Sequence, residues 1–331
     1  MNQPRVIALG FFDGVHLGHG QLLTRCRQEA DRLGCRAAAL TFDSHPDSLV
    51  SGKAVPLLSA PQDRARLMEE LYGIQEVLPI HFDRHMRDMP WEFFLQSVLV
   101  EEYHAAALIC GHDFRFGAGG EGTAARLLEA CAKLGIGCAV IPEYRLEGIT
   151  VSSTYIRSLL EAGDLDRARR FLGHPHQFTG TVVSGAHLGR TWGIPTANLE
   201  LPPELLLPPK GVYACRARTP EGTYLAVTNI GTRPTVNGHG LTIEPWLLDY
   251  TGDLYGQPVT LELWHFLRGE RRFPSLEALQ DEIRRNAGQT RAFFEKWPHS
   301  YQLDLPHPHP SRLGPARGKL EGRAFSLKLP T

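Results

Sequence analysis

Two histidines three residues apart, His16 and His19, stand inside the run Gly10-Phe11-Phe12-Asp13-Gly14-Val15-His16-Leu17-Gly18-His19. The run follows the apolar stretch from Val6 to Leu9 and precedes a helical pattern, so it reads as a strand, a glycine turn and a helix start. In a parallel sheet that place holds a nucleotide phosphate. Gly10, Gly14 and Gly18 let the backbone approach closely, the first helical amides present a fixed positive end, and the two imidazoles can face the ligand together. A metal pair is the competing reading of the histidines, but no further His or Cys follows at ligand spacing.

A second constellation lies far down the chain: Val151-Ser152-Ser153-Thr154-Tyr155-Ile156-Arg157, opening an apolar-periodic stretch through Leu159 and Leu160. Ser152 or Ser153 caps a helix there, and an isolated serine pair does nothing more. Arg157, one turn on from Ser153 and on its face, adds a guanidinium to the hydroxyls and amides, a combination that clamps an anion.

The elements that must position these groups divide by rhythm. Up to about Leu172, short apolar strands (6–9, 37–41, 77–80, 106–110 and 138–141) alternate with helical patterns (18–33, 64–72 and 124–134), several ending at glycine: Gly34, Gly73 and Gly135. Such alternation predicts an α/β unit with a doubly wound parallel sheet that binds ligands at the carboxyl ends of its strands. After Gly173-His174-Pro175-His176 strand follows strand (178–184, 212–217, 224–230, 241–248 and 259–267), which predicts an antiparallel barrel. A helix from Leu276 to Lys296, capped by Ser275, closes the pattern, and the proline-rich tail beyond Pro298 is expected to be disordered. With 331 residues, 42% hydrophobic content and a formal charge of −1, the chain suffices for two cores and offers no basic field for nucleic acid. Six cysteines without a C-x-x-C pair, no leader and no long apolar span suggest reduced thiols in a cytoplasmic protein without a membrane partner.

In this order the motifs resemble a known family. Residues 10–19 are similar to G-x-F-D-G-x-H-x-G-H, residues 41–46 to T-F-x-x-H-P, residues 111–117 to G-x-D-F-x-F-G and residues 152–157 to S-S-T-x-I-R. These belong to the adenylyltransferase module of the bacterial bifunctional riboflavin kinase/FMN adenylyltransferases, or FAD synthetases. Residues 185–199 resemble the kinase signature G-R-x-x-G-x-P-T-A-N-L, and residues 210–213, 229–235 and 252–256 follow in family order. The resemblance covers about residues 1 to 297.

The resemblance implies a Rossmann-like nucleotidyltransferase domain (1–172), a linker (173–177), a riboflavin kinase β-barrel domain with a C-terminal helix (178–298) and the tail (299–331). It implies that riboflavin, FMN and ATP are the partners and that Mg2+ accompanies ATP. His16, His19 and Arg157 become catalytic candidates for adenylyl transfer, with Gly10, Phe12, Asp13, Gly14, Gly18, Ser152, Ser153 and Thr154 around the ATP phosphates. His45, Asp113, Phe114, Arg115 and Arg291 become flavin candidates. In the barrel, Gly189, Arg190, Gly193, Pro195 and Thr196 are expected at ATP, and the oxygens of Thr196 and Asn198 suit a hard magnesium ion. Phosphorylating a ribityl hydroxyl requires a proton acceptor, and Glu244 aligns with the family's strand glutamate in that role. The chain departs from the family at Pro245 and Trp246, at Asn286 and at Thr123. Two rival readings are another nucleotidyltransferase with an appended barrel, opposed by Pro195-Thr196-Ala197-Asn198, and a non-catalytic flavin sensor, opposed by Glu244.

Overall fold

In the computed structural model, which describes residues 3–184, 194–235 and 238–296, the first half builds a five-stranded sheet. Its strands are β1 (Arg5–Leu9), β2 (Arg36–Phe42), β3 (Glu76–Ile80), β4 (Ala105–Gly111) and β5 (Gly137–Ile141). They run in the order β3-β2-β1-β4-β5 with every pairing parallel. The strands are apolar on both faces because helices cover both. One layer packs Ile7, Leu9, Leu40 and Leu108 against Phe94, Leu99 and Leu127. The other packs Val6, Ala8, Ala37 and Ala39 against Leu23, Cys26 and Leu67. Strand order reverses between β1 and β4, so the loops after these two strands flank the crevice where such a sheet takes its ligand.

Helices α1 (Leu17–Leu33), α2 (Pro61–Tyr72) and α3 (Ala124–Leu134) end at Gly34, Gly73 and Gly135, each in the left-handed region that favours glycine. Two short helices, α4 (Ser153–Glu161) and α5 (Leu165–Leu172), complete the unit.

The second half is a six-stranded antiparallel sheet of β6 (His176–Val183), β7 (Asn198–Glu200), β8 (Gly211–Thr219), β9 (Gly222–Thr235), β10 (Gly238–Leu247) and β11 (Pro258–Arg268), in the order β7-β6-β11-β8-β9-β10. The amide of Ala197, just before β7, donates to the Pro245 carbonyl of β10 at 2.9 Å, so the two outer strands meet and the barrel is nearly closed. Helix α6 (Leu276–Lys296) starts at the cap expected for it, with Ser275 Oγ accepting from the Ala278 amide at 3.2 Å. It lies on the outside of the barrel, where Ala287 packs with Val212, Val227 and Leu248.

Residues 173–177 are an integral part of the packing. His174, His176 and Gln177 are buried, and His176 already belongs to β6. One apolar cluster runs from Leu57, Leu58, Phe171 and Leu172 into Phe178, Leu205 and Leu261 of the barrel. Across it Leu57 N donates to Glu204 O and Leu206 N donates to Leu57 O, both at 2.8 Å. Asp63 of α2 accepts from the amide and the hydroxyl of Thr179 on β6. Among the described residues no helix is long and apolar enough to cross a membrane. The tail from 299 onward lies outside the described residues.

Candidate active sites

The turn after β1 is built around Asp13, 1% exposed. Its carboxylate accepts from the Leu58 amide (2.9 Å), the Ser59 amide (3.0 Å) and the Arg157 guanidinium (2.7 Å). Gly14 needs its glycine: φ is +76° and a Cβ would stand 2.8 Å from Leu58. His174 Nε2 contacts the Gly14 carbonyl at 3.0 Å. Ser152 caps α4, accepting from the Tyr155 amide, and Ser153 Oγ donates to the Asp13 carbonyl at 3.0 Å. Two segments 140 residues apart in sequence are thereby joined, and the N-termini of α1 and α4 are brought together at the carboxyl end of the sheet.

Two of the residues expected at the phosphates also build the turn itself. Asp13, expected at the ATP phosphates, is a buried scaffold whose oxygens are already engaged. Arg157, expected to clamp an anion, pairs with Asp13 and also donates from Nε to the Pro56 carbonyl at 2.8 Å. The hydroxyl of Ser153 is likewise used within the protein, while Thr154 is exposed in the first turn of α4.

His16 and His19 are placed together. His16 caps α1, its Nδ1 accepting from the His19 amide at 3.2 Å, and the two rings stack with centroids 3.5 Å apart. Burial pushes the His16 imidazole down to about 3, with His174 and Arg157 adding to the effect. His19 is held well below the ordinary histidine value by burial, then by His16 and Arg64. Both are neutral at pH 7, and His16, whose Nδ1 is an acceptor, carries its proton on Nε2. Gly18 allows the close approach of the second segment: a Cβ there would lie 3.2 Å from the His16 ring and 3.3 Å from the Val151 carbonyl.

Beside the turn opens a cavity of about 600 Å³ whose walls include Gly10, Phe42, Phe82, Met86, Phe94, Phe114, Arg115 and Phe116. The Phe114 and Phe116 rings lie 5.3 Å apart and nearly parallel, and Phe42 meets Phe82 edge-on at 4.9 Å. Such walls suit a large planar aromatic ligand. Gly117 (φ +73°) sets the Phe116 turn, since a Cβ there would come within 2.5 Å of Trp91. Of the flavin candidates, Phe114 and Arg115 line this cavity. His45 stands edge-on to Phe11 at 4.7 Å, and Asp113 is exposed outside the lining. Phe42, Phe82, Met86, Phe94 and Phe116 were not singled out from sequence, although Phe42 and Phe116 sit inside the two motifs that carry His45 and Phe114. Thr123, a departure from the family, caps α3 by accepting from the Arg126 amide.

A second cavity, about 260 Å³, lies on the barrel between Pro195, Thr196, Ala197, Tyr250, Asp253 and Tyr255. Asn198 opens β7 opposite Val183, and the Ala197–Pro245 hydrogen bond holds this segment against β10. On β10 the apolar side chains of Ile243 and Leu247 point into the barrel core, whereas Trp246 joins the outer cluster under α6. Glu244 shares that outer face by alternation, half-exposed and directly opposite Asn229 of β9. Pro245 is tolerated because β10 is the last strand in the sheet order and no ladder amide is needed at that position. Buried Asn286 accepts from Arg268 Nε at 3.1 Å and donates to Gln289 at 3.0 Å. Arg291, expected at flavin, makes a bidentate pair with Asp249 at 2.8 and 2.9 Å. Gly189, Arg190 and Gly193 lie outside the described residues.

Comparison with known proteins gives matches in both halves. Residues 1–155 match the family model described as FAD synthetase, and residues 172–294 match the one described as riboflavin kinase. The chain is 36% identical over 298 residues to the bifunctional riboflavin kinase/FMN adenylyltransferase of Haemophilus influenzae, covering 88% of this chain and 95% of that one. It is 37% identical over 291 residues to the protein of the same name from Escherichia coli strain K12, covering 87% and 92%. Among solved structures it is similar to a protein from Streptococcus pneumoniae described as a macrolide-efflux protein, with a TM-score of 0.76 and 27% identity over 88% of this chain and 95% of that one.

Proposed function

The chain belongs to the bifunctional riboflavin kinase/FMN adenylyltransferase family, and from that premise we propose how its own residues divide the two reactions. The protein phosphorylates riboflavin with ATP to FMN and then transfers AMP from ATP to FMN, giving FAD and pyrophosphate.

Adenylyl transfer takes place at the turn after β1. An oxygen of the FMN phosphate, ionised at neutral pH, attacks the α-phosphorus of ATP and the bond to pyrophosphate breaks, so no proton has to be removed. The demand is alignment and stabilisation of charge. The neutral imidazoles of His16 and His19 and the N-termini of α1 and α4 serve the phosphates. The 600 Å³ aromatic cavity takes the isoalloxazine, with Phe114 and Phe116 against its face. The observation that carries this reading is the joining of residues 10–19 and 151–157 through Asp13 directly beside that cavity. Asp13, Ser153 and Arg157 act as its frame.

Riboflavin phosphorylation takes place on the outer face of the barrel. Glu244 accepts the proton of the ribityl hydroxyl as its oxygen bonds to the γ-phosphorus of ATP and ADP departs. The Thr196 hydroxyl and the Asn198 amide oxygen are hard donors that fit Mg2+, an ion that needs few protein ligands when nucleotide phosphates supply the others. Bound there, the ion would neutralise charge on the transferring phosphates. A cytoplasmic location fits the free thiols at Cys26, Cys110, Cys131 and Cys215, all buried.

The test uses the full chain with ATP and Mg2+ and separates FMN from FAD by chromatography. Glu244→Gln is expected to lower FMN formation from riboflavin on the order of 10²- to 10⁴-fold while FAD formation from supplied FMN persists. His19→Ala is expected to do the reverse. Parallel loss of both products in either variant, or of neither, refutes that residue's assignment.

A further inference from the structure

Arg64 of α2 is among the largest fully buried side chains, with 0% exposure. Among the described residues no carboxylate lies within ion-pair distance of it; Asp13 and Asp43 act on it only through space. Its Nη1 donates to the Phe11 carbonyl (2.8 Å), the Thr41 hydroxyl (2.9 Å) and the Phe42 carbonyl (3.1 Å), and the Thr41 hydroxyl in turn donates to the Phe11 carbonyl at 2.8 Å. The guanidinium stacks on the Phe11 ring at 4.2 Å, while Nε and Nη2 are enclosed with no hydrogen-bond partner among the described residues. A buried cation with orphan donors is costly, and burial pulls this guanidinium down to about 10.

The bonds it makes show what the charge does. Phe11 and Phe42 stand just past the ends of β1 and at the end of β2, so one nitrogen ties both strand ends at the ligand side of the sheet. The next residue, Phe12, is left-handed (φ 56°), a conformation that a bulky side chain keeps only when its surroundings hold it. The Phe12 ring stands edge-on to His19 at 5.3 Å, and His19 stacks on His16. We propose that Arg64 is a positioning residue for adenylyl transfer: by clamping the Phe11 and Phe42 carbonyls it fixes the Phe12 turn, and through it the place of His19. The inference rests on the assignment of His19 to the adenylyl site.

The test compares Arg64→Met, Arg64→Lys, Thr41→Val and His19→Ala in the full chain, with riboflavin kinase activity of each sample as internal control for folding. Misplacing a catalytic group by about 1 Å costs on the order of 10²-fold. Arg64→Met is therefore expected to lower kcat for FAD formation by roughly 10- to 100-fold, with KM for ATP and FMN within about twofold and the kinase step unchanged. Arg64→Lys, which keeps a donor for the two carbonyls, is expected to recover part of that kcat. An unchanged kcat in Arg64→Met, a rise in KM alone, or equal loss of both activities overturns the proposal. If Arg64→Met does not fold, Arg64→Lys and Thr41→Val decide: both must lower kcat for FAD formation selectively, and normal turnover in both refutes the clamp. If His19→Ala makes FAD normally, it is the histidine assignment that fails.

Discussion

At the scale of single residues, the Asp13–Arg157 pair shows how a motif arginine can be structural. Asp13 is 1% and Arg157 12% exposed at the side chain, so removing either strands a buried charge. Arg157→Ala is expected to cost about 3–5 kcal/mol of stability, and Asp13→Asn/Arg157→Ala less than the sum of the single changes, as measured by denaturant unfolding. Additive losses would mean that the two groups are not coupled. Histidine chemistry gives a second expectation. The imidazoles of His16 and His176 are pushed down by burial to about 3 and about 4, below the value of about 6.5 in the unfolded chain. Because the folded value is the lower one, the neutral side chains leave stability intact above about pH 6.5. Stability is then lost as the unfolded chain takes up protons below about pH 6.5, down to about 4 for His176 and about 3 for His16. The melting temperature should therefore already fall by about pH 5, above the range where ordinary carboxylates titrate. A flat profile from pH 7 to 5 would contradict the burial of these rings.

At the scale of elements, the site depends on how closely two helix N-termini approach. Gly18 lies in the first turn of α1, and a methyl group there would be tight against both the His16 ring and the Val151 carbonyl that precedes α4. Gly18→Ala is expected to push these segments apart by a few tenths of an ångström, lowering FAD formation severalfold to about 100-fold, whereas FMN formation stays near its original rate. Steady-state assays with FMN and with riboflavin check this. Most elements were legible because each repeats a local rule. Helices α1, α2 and α3 stop at glycines that adopt the left-handed cap, and α6 begins after a serine that caps it. The helix formed by Trp91–Phe93 and the π-wound turns of Phe94–Glu102 was not anticipated. Its hydrophobic run carries little helical periodicity, and Phe94, Leu95, Val98 and Leu99 pack in one cluster with Leu108 and Cys110 of β4.

At the scale of the molecule, the two catalytic units share one core through Leu57, Phe171, Leu172, Phe178 and Leu205. The expectation from the motifs alone, each confined to its side of residues 173–176, is that either half works when cut apart. The packing argues that the halves stabilise each other, because a fragment ending at Leu172 exposes Leu57, Leu58 and Phe171 to water. The intact chain is expected to unfold in one calorimetric transition. Two well-separated transitions would show that the shared cluster carries little energy.

By itself the sequence determined the class of each half, the order of most of its elements and the family to which the motifs belong. Hydrophobic periodicity, glycine stops and the spacing of His16, His19, Ser153 and Glu244 are local properties of the chain. What each group touches was left to the tertiary structure. That Asp13 and Arg157 pair at 2.7 Å is a fact of the fold, not of their spacing in the chain. The aromatic walls come from residues as distant as Phe42, Phe82, Phe94 and Phe116, which become neighbours only when β2 and β4 flank one crevice. Arg64 reads in sequence as an ordinary helix-surface charge, and its burial follows from packing α2 across the ends of β1 and β2. Such contacts are set by long-range geometry, which the spacing of residues along a chain does not encode.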